Sequence, residues 1–308
     1  MRTYIKPQKK IIATIALGKD YQKIWKKNIY PFWKIYCKIH NLGLVVFEED
    51  LIAKNDLFWK KATWQRLLVG EKIKQKFPKV EDVCFLDTDI IINPTAPNIF
   101  NFQKKNKINL TSLRNFLPFE YKKTIRKMAY FRKKYINKKY PLDSLLNADL
   151  KTLYKSDKLE PQKDEMCVGV MMFNIKKFSR KLHDWFYLFE KNIDTTTGGG
   201  CQTQLNYLIL KNKYENLLDY KFQSIWIFEL VNRFPFILKN INNLRYLGYL
   251  TTTILLDNYF LHFAGGGIES TFWRTKEFTK RIDINLLKKF NEYYFKKLKG
   301  LPKIKIKN

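Results

Sequence analysis

Residues 83–92 read Val-Cys-Phe-Leu-Asp-Thr-Asp-Ile-Ile-Ile, an apolar run that meets two carboxylates spaced i, i+2 and then resumes. A run of this kind is a buried strand, so Asp87 and Asp89 stand at its end or in the tight turn that leaves it. Burying an ionised carboxylate is costly unless a cation or hydrogen-bond donors compensate, and two so close together also repel. The simplest compensation is a hard divalent cation held by oxygen ligands. Asp87-Thr88-Asp89 therefore reads as a metal site, with Asp87 and Asp89 as ligands.

The segments around this strand set the fold class. Lys10–Leu17 is an apolar strand ended by Gly18, and Trp25–His40 has helical spacing interrupted at Pro31. Leu42–Phe47 is a second strand, and residues 60–77 form an amphipathic helix with Ala62, Leu67, Leu68 and Ile73 on its apolar side. Strand, helix, strand, helix, strand within the first 92 residues predicts an α/β domain with a central, mostly parallel sheet flanked by helices. In such open sheets ligands dock beyond the carboxyl ends of the strands, which is where Asp87 and Asp89 fall. Further along, residues 166–175 predict another buried strand and Phe178–Lys191 a helix. Thr195–Gly200 predicts a turn, Gln202–Leu210 a short helix, and Tyr259–Phe263 a strand running into Ala264-Gly265-Gly266-Gly267. The expected organisation is one domain over residues 1–284 carrying a basic helical insertion at about 103–165, then a basic C-terminal extension over 285–308 that begins as a helix.

A chain of 308 residues with 45% hydrophobic side chains can bury a full core. No apolar run reaches the length of about 18 residues that a spanning helix needs, and Met1–Lys6 shows no signal-peptide core. The expectation is a cytoplasmic protein. Cys37, Cys84, Cys167 and Cys201 form no CxxC pair, and Cys84 and Cys167 lie inside apolar runs. They read as small buried hydrophobes in a reducing compartment. The three histidines are too far apart for a histidine-rich zinc site.

The formal net charge is +30, which favours polyanionic partners: nucleic acid, nucleotide phosphates or anionic lipid. Heavy use of Lys, Asn and Ile, as AT-rich coding produces, raises the charge without any partner. Residues 103–140 hold thirteen Lys or Arg against the single acid Glu120, interleaved with Phe116, Phe119, Tyr121, Tyr130, Phe131 and Tyr135. This stretch, helical around Tyr121–Ile136, reads as a solvated basic helix, an interfacial segment on anionic lipid, or a docking face for a charged acceptor.

Four blocks in order resemble the nucleotide-sugar glycosyltransferases of GT-A fold, closest to family 8-like enzymes. They are Ile11–Leu17 with Tyr21 just after it; Phe85-Leu86-Asp87-Thr88-Asp89-Ile90, similar to the D-x-D strand; Val168-Gly169-Val170-Met171-Met172-Phe173-Asn174, similar to the SGVMLFN strand; and Leu261-His262-Phe263-Ala264-Gly265, similar to the H-F-x-G segment. Together they span roughly residues 10–270. The resemblance implies a Mn²⁺ ion, or Mg²⁺, held by Asp87, Asp89 and His262. It implies donor contacts from Thr14, Ala16, Tyr21, Arg66, Asp87, Thr88, Gly265, Gly266 and Arg274, with Gly267 and Lys276 near the diphosphate. Family 8-like enzymes also retain anomeric configuration.

Two departures stand out. Where the family carries Asp-Gln-Asp before a helical Leu-Asn, this chain has Cys201-Gln202-Thr203-Gln204-Leu205-Asn206, so both flanking carboxylates are absent. Gln202 remains as the candidate catalytic, sugar-facing residue of that block, with Asp89 as the second catalytic candidate. The family's Lys-Pro-Trp is replaced by Ile268-Glu269-Ser270. The expected activity is metal-dependent hexosyl transfer from a nucleotide diphosphate sugar, UDP-linked, to a hydroxyl acceptor. That acceptor is a lipid-linked or cell-surface glycan met at an anionic membrane face, and no specific nucleic acid is expected. A haloacid-dehalogenase-like phosphatase also opens with apolar-Asp-x-Asp, but two strands precede Asp87 here, and Ile91 replaces the Thr or Val expected two residues after the second Asp. A nucleic-acid-binding protein is the other alternative, resting on charge and aromatics alone.

Overall fold

The computed structural model describes residues 1–136, 138, 148–190, 200–265 and 268–292. Its strands are Arg2–Ile5 (β1), Lys10–Ile15 (β2), Gly43–Phe47 (β3), Asp82–Leu86 (β4), Ile90–Ile92 (β5), Ile108–Ser112 (β6), Met166–Asn174 (β7), Glu215–Leu217 (β8), Ser224–Ile225 (β9) and Phe260–His262 (β10). Its α-helices are Lys19–Asn28 (α1), Tyr30–Ile39 (α2), Ala62–Gln65 (α3), Val69–Lys76 (α4), Tyr121–Phe131 (α5), Leu150–Ser156 (α6), Ile175–Tyr187 (α7), Gln202–Lys211 (α8), Trp226–Arg233 (α9), Leu244–Asp257 (α10), Lys276–Thr279 (α11) and Ile284–Glu292 (α12). None of the described helices is long and apolar enough to cross a membrane.

Seven strands form the central sheet in the order β1-β3-β2-β4-β7-β6-β8, and β5-β10-β9 form a smaller one. β2 runs parallel to β3 and β4, β6 runs parallel to β8, and β1 and β7 oppose their neighbours, so five of the seven strands point the same way. The apolar strand sequences follow from burial on both faces. Along β2 and β4, Ile12, Cys84 and Leu86 enter one core with Trp25 and Trp33 of α1 and α2 and Trp226 of α9. The alternate residues Ile11, Ala13, Val83 and Phe85 enter the opposite core with Ile73 of α4, Phe178 and Leu182 of α7 and Ile209 of α8. Each strand thus divides its side chains between two helical layers by its period of two.

Several elements differ from expectation in detail. The helical stretch 25–40 is two helices, with Pro31 in the first turn of α2, where a missing N–H costs nothing. The helix expected over 60–77 is broken by a 3-10 turn at Arg66–Leu68. Arg66 is buried there, and its Nε donates to Thr63 O at 2.8 Å. The basic stretch expected as an insertion at about 103–165 is interrupted by β6, which lies inside the central sheet between β7 and β8. The sequence carries little signal for this strand, because lysines and asparagines surround Ile108, Leu110 and Ser112. Helix α5 falls where the Tyr121–Ile136 periodicity places it. Gly266, Gly267, most of the expected 195–200 turn and the tail beyond Glu292 lie outside the described residues.

Candidate active site

The Asp-x-Asp segment sits where the chain leaves one sheet for the other. The ladder between β4 and β7 closes with Asp87 N donating to Gly169 O at 2.8 Å. After the turn, Ile90–Ile92 pairs antiparallel with β10 in the register Ile90↔His262, Ile91↔Leu261 and Ile92↔Phe260. The apolar run resumes after Asp89 because a second buried strand begins there. Its register brings His262 beside Asp89, and Phe263 N donates to Asp89 O at 3.0 Å.

One ligand atom from each of Asp87, Asp89 and His262 lies within 4.8 Å of the other two. His262 Nε2 is 3.2 Å from Asp89 Oδ1 and 3.9 Å from Asp87 Oδ2. The shorter separation is close to the ~3 Å edge of an octahedron built on bonds of about 2.1 Å. Two carboxylate oxygens and one imidazole nitrogen could hold a divalent metal ion, so these residues fit a metal of the kind the motif implies.

The electrostatics point the same way. Burial and the neighbouring Asp89 push the Asp87 carboxyl above its usual range, against the pull of Arg66 and His262. Burial alone would depress the His262 imidazole, but Asp89 and Cys167 outweigh it and hold it well above its ordinary value. The two carboxylates thus draw positive charge to their side. Arg66 supplies part of that charge: its Nη2 lies 3.0 Å from Asp87 Oδ1, and its Nη1 donates to Val168 O. Its guanidinium is a fixed support for Asp87.

Behind His262 sit residues that the sequence did not flag. Gln223 Nε2 lies 3.1 Å from His262 Nδ1 and 2.8 Å from Cys167 Sγ, while Gln223 Oε1 accepts from Thr111 Oγ1 at 3.0 Å. Metal ligation through Nε2 requires the proton on Nδ1, and the same Gln223 carboxamide turned over supplies the acceptor, with its NH₂ then on Thr111. Gly169 has a reason to be glycine: a Cβ there would meet His262 Cε1 at 2.4 Å and Gln223 Nε2 at 2.6 Å.

A cleft of about 420 Å³ opens beside the cluster and is lined by Arg66, Asp87, Asp89, Gln202, His262 and Gly265, with Glu165 and Arg132 among the further residues. Gly265 has φ +113, a conformation open to glycine alone at little cost. Tyr21, Thr88 and Arg274 form a neighbouring group. The Tyr21 hydroxyl hydrogen-bonds Thr88 Oγ1, and the exposed Arg274 lies 5.4 Å over the Tyr21 ring and 5.3 Å over Trp273. Burial and the charge of Asp89 raise the Tyr21 phenol to about 12. Thr14 and Ala16 are buried at the carboxyl end of β2, and the Thr14 hydroxyl finds no hydrogen-bond partner among the described residues. Lys276 opens α11 and is exposed. Gln202 donates from Nε2 to Glu165 Oε1 at 2.7 Å. Glu165 was invisible in the sequence because a lone carboxylate before an apolar strand carries no spacing signal. All four cysteines are buried and free.

No family model matches the sequence, and no curated protein matches it either. Solved structures do resemble it. A glycosyltransferase involved in the glycosylation of the major capsid of PBCV-1 superposes with a TM-score of 0.50 at 12% identity, over 86% of this chain and 100% of that one. The bifunctional glycosyltransferase WbbM gives 0.46 at 12% identity over 88% of this chain and 51% of its own. The glycosyltransferase GlyE of Streptococcus pneumoniae TIGR4 gives 0.39 at 14% identity over 96% and 67%. The first of these carries the comparison: the chain has an α/β fold of a kind found in glycosyltransferases.

Proposed function

We propose that this chain is a metal-dependent glycosyltransferase of GT-A type. In this reading it moves a sugar from a nucleotide diphosphate donor, UDP-linked, to a hydroxyl of a glycan acceptor. The observation that carries the reading is the Asp87–Asp89–His262 cluster at the carboxyl end of β4, open to a cleft of about 420 Å³, a volume in the range of small-molecule sites. Asp87, Asp89 and His262 Nε2 would hold the ion, which when bound offsets charge gathering on a diphosphate leaving group. Arg66 favours the ionised form of Asp87, against its burial, and holds it in place. Tyr21, Thr88 and Arg274, with Thr14 and Ala16 at the carboxyl end of β2, are suited to a nucleoside diphosphate, and Gly265 would admit phosphate oxygens to the backbone. Gln202 faces the sugar.

The acceptor reading draws on α5. A groove bordered by Lys122, Arg126, Lys133 and Lys134 around Tyr130 shares Tyr121 and Ile125 with the cleft. That chemistry suits an acceptor bearing phosphate, such as a lipid-linked glycan, presented at an anionic membrane surface. The donor side is tested by thermal unfolding of the chain with a panel of sugar nucleotides and Mn²⁺. A UDP-sugar at 100 times its Kd adds about 2.7 kcal/mol to stability, and chelation removes the shift. A panel with no stabilising donor, or a shift that persists in chelator, contradicts the reading.

A further inference from the structure

Glu165 and Gln202 line the same cleft as the Asp87–Asp89–His262 cluster and, with Arg114, form a second set of polar side chains joined end to end. Arg114 follows β6, Glu165 directly precedes β7 and Gln202 opens α8. Arg114 Nε and Nη2 both reach Glu165 Oε2, at 2.8 and 2.7 Å, and Gln202 Nε2 donates to the other oxygen, Oε1, at 2.7 Å. The side chains of Arg114 and Glu165 are only 6% and 7% exposed, so this is a built arrangement rather than a surface ion pair. Arg114 is itself fixed: its guanidinium lies 4.7 Å over the Tyr121 ring and Nη1 donates to Ala148 O at 2.6 Å. The backbone of Glu165 is fixed too, with its N–H on Asp164 Oδ1 at 2.8 Å and its carbonyl accepting from Leu113 N at 2.8 Å.

Resting on the transferase reading above, we infer that Glu165, clamped by Arg114, is the positioning residue for Gln202. Arg114 Nε donates to one carboxylate oxygen and Nη2 lies in ion-pair range of the same atom, which leaves the other oxygen for Gln202. A carboxamide whose NH₂ is tied to a carboxylate must present its carbonyl oxygen elsewhere, and Gln202 lines the cleft. The hydrogen bond to an anion also draws electron density onto that oxygen. During transfer, the bond from the anomeric carbon to the leaving phosphate oxygen breaks and its electron pair departs with the nucleoside diphosphate. The acceptor hydroxyl oxygen forms the new bond, and its proton goes to the released diphosphate. The carbon gains positive charge meanwhile, and the Gln202 Oε1 held by Glu165 faces it. The carboxylate missing from the 201–206 block is thus supplied by the residue before β7, acting through the glutamine.

Glu165→Gln separates this role from a structural one. The new side chain would give its oxygen to Arg114 and point its NH₂ at Gln202, turning the Gln202 carboxamide over and its oxygen out of the cleft. The expected result is a fall in kcat of about 100-fold, the scale of losing one preorganised polar contact to a transition state. The donor KM and the Mn²⁺-dependent affinity for UDP change little. In the Q202A background, E165Q then lowers kcat no further, because the two residues act as one unit. Should E165Q unfold below the assay temperature, Arg114→Lys, which loosens the clamp and keeps the carboxylate, reads the same loss of kcat. An unchanged kcat in E165Q, a kcat that falls in step with UDP affinity, or a full additional loss in Q202A each overturns the inference while leaving the transferase reading intact. A wild-type chain that uses no sugar nucleotide overturns both.

Discussion

A methyl group added at Gly169 would sit 2.4 Å from His262 Cε1 and 2.9 Å from its Nδ1, so the ring must move or the strand must. Gly169→Ala is expected to cost about 1–3 kcal/mol by overpacking, read as a lowered Tm, and to abolish Mn²⁺-dependent UDP binding because His262 leaves the carboxylates. A variant with wild-type Tm and UDP affinity would show that the close approach of β7 to the imidazole has no functional weight. At this scale Asp87 and Asp89 were legible because charge at the end of an apolar run breaks the local pattern and demands a partner. His262 was legible only through resemblance to a known segment. Gln223, Cys167 and Glu165 were not legible at all: each is joined to the site by a contact across the fold, with sequence separations of 39 between Gln223 and His262 and 37 between Glu165 and Gln202.

Among elements, β2, β3, β4 and β7 are mostly apolar runs, and a run buried on both faces has few alternatives to a central strand. β6 and β8 are less apolar, Ile-Asn-Leu-Thr-Ser and Glu-Asn-Leu, and one of their polar pairs meets across the strands, with Asn216 Nδ2 donating to Asn109 Oδ1 at 2.9 Å. Nothing local announces that pairing. Helix α5 has the opposite history, its amphipathic spacing plain and its purpose open. Its inward residues Thr124, Met128 and Phe131 are buried, which leaves Lys122, Arg126, Lys133 and Lys134 around the groove. Replacing these four bases with glutamate is expected to abolish co-sedimentation with anionic phospholipid vesicles at low salt and to leave UDP binding unchanged. Wild-type chain that never sediments with such vesicles, or a charge-reversed variant that still does, would remove the membrane-facing role of this helix.

Over the whole molecule, the site exists because two sheets share one chain at Asp87–Asp89. The central sheet brings β4 and β7 to a common edge, the small sheet brings β10 back to β5, and the His262 register with Ile90 joins the two. An apolar run on each side of two acids thus accompanies both the partial burial of the carboxylates and the strand that returns an imidazole to them. The central claim is that these three side chains hold a divalent ion on which nucleotide diphosphate binding depends. Calorimetric titration of UDP into the chain with Mn²⁺, with chelator, and into Asp89→Ala with Mn²⁺ tests it most directly. The predicted result is one UDP per wild-type chain with Mn²⁺, weakened by chelation and by the substitution by more than the about 10–100-fold that losing an outer-shell partner costs a metal site. UDP binding of equal strength in all three titrations would contradict it.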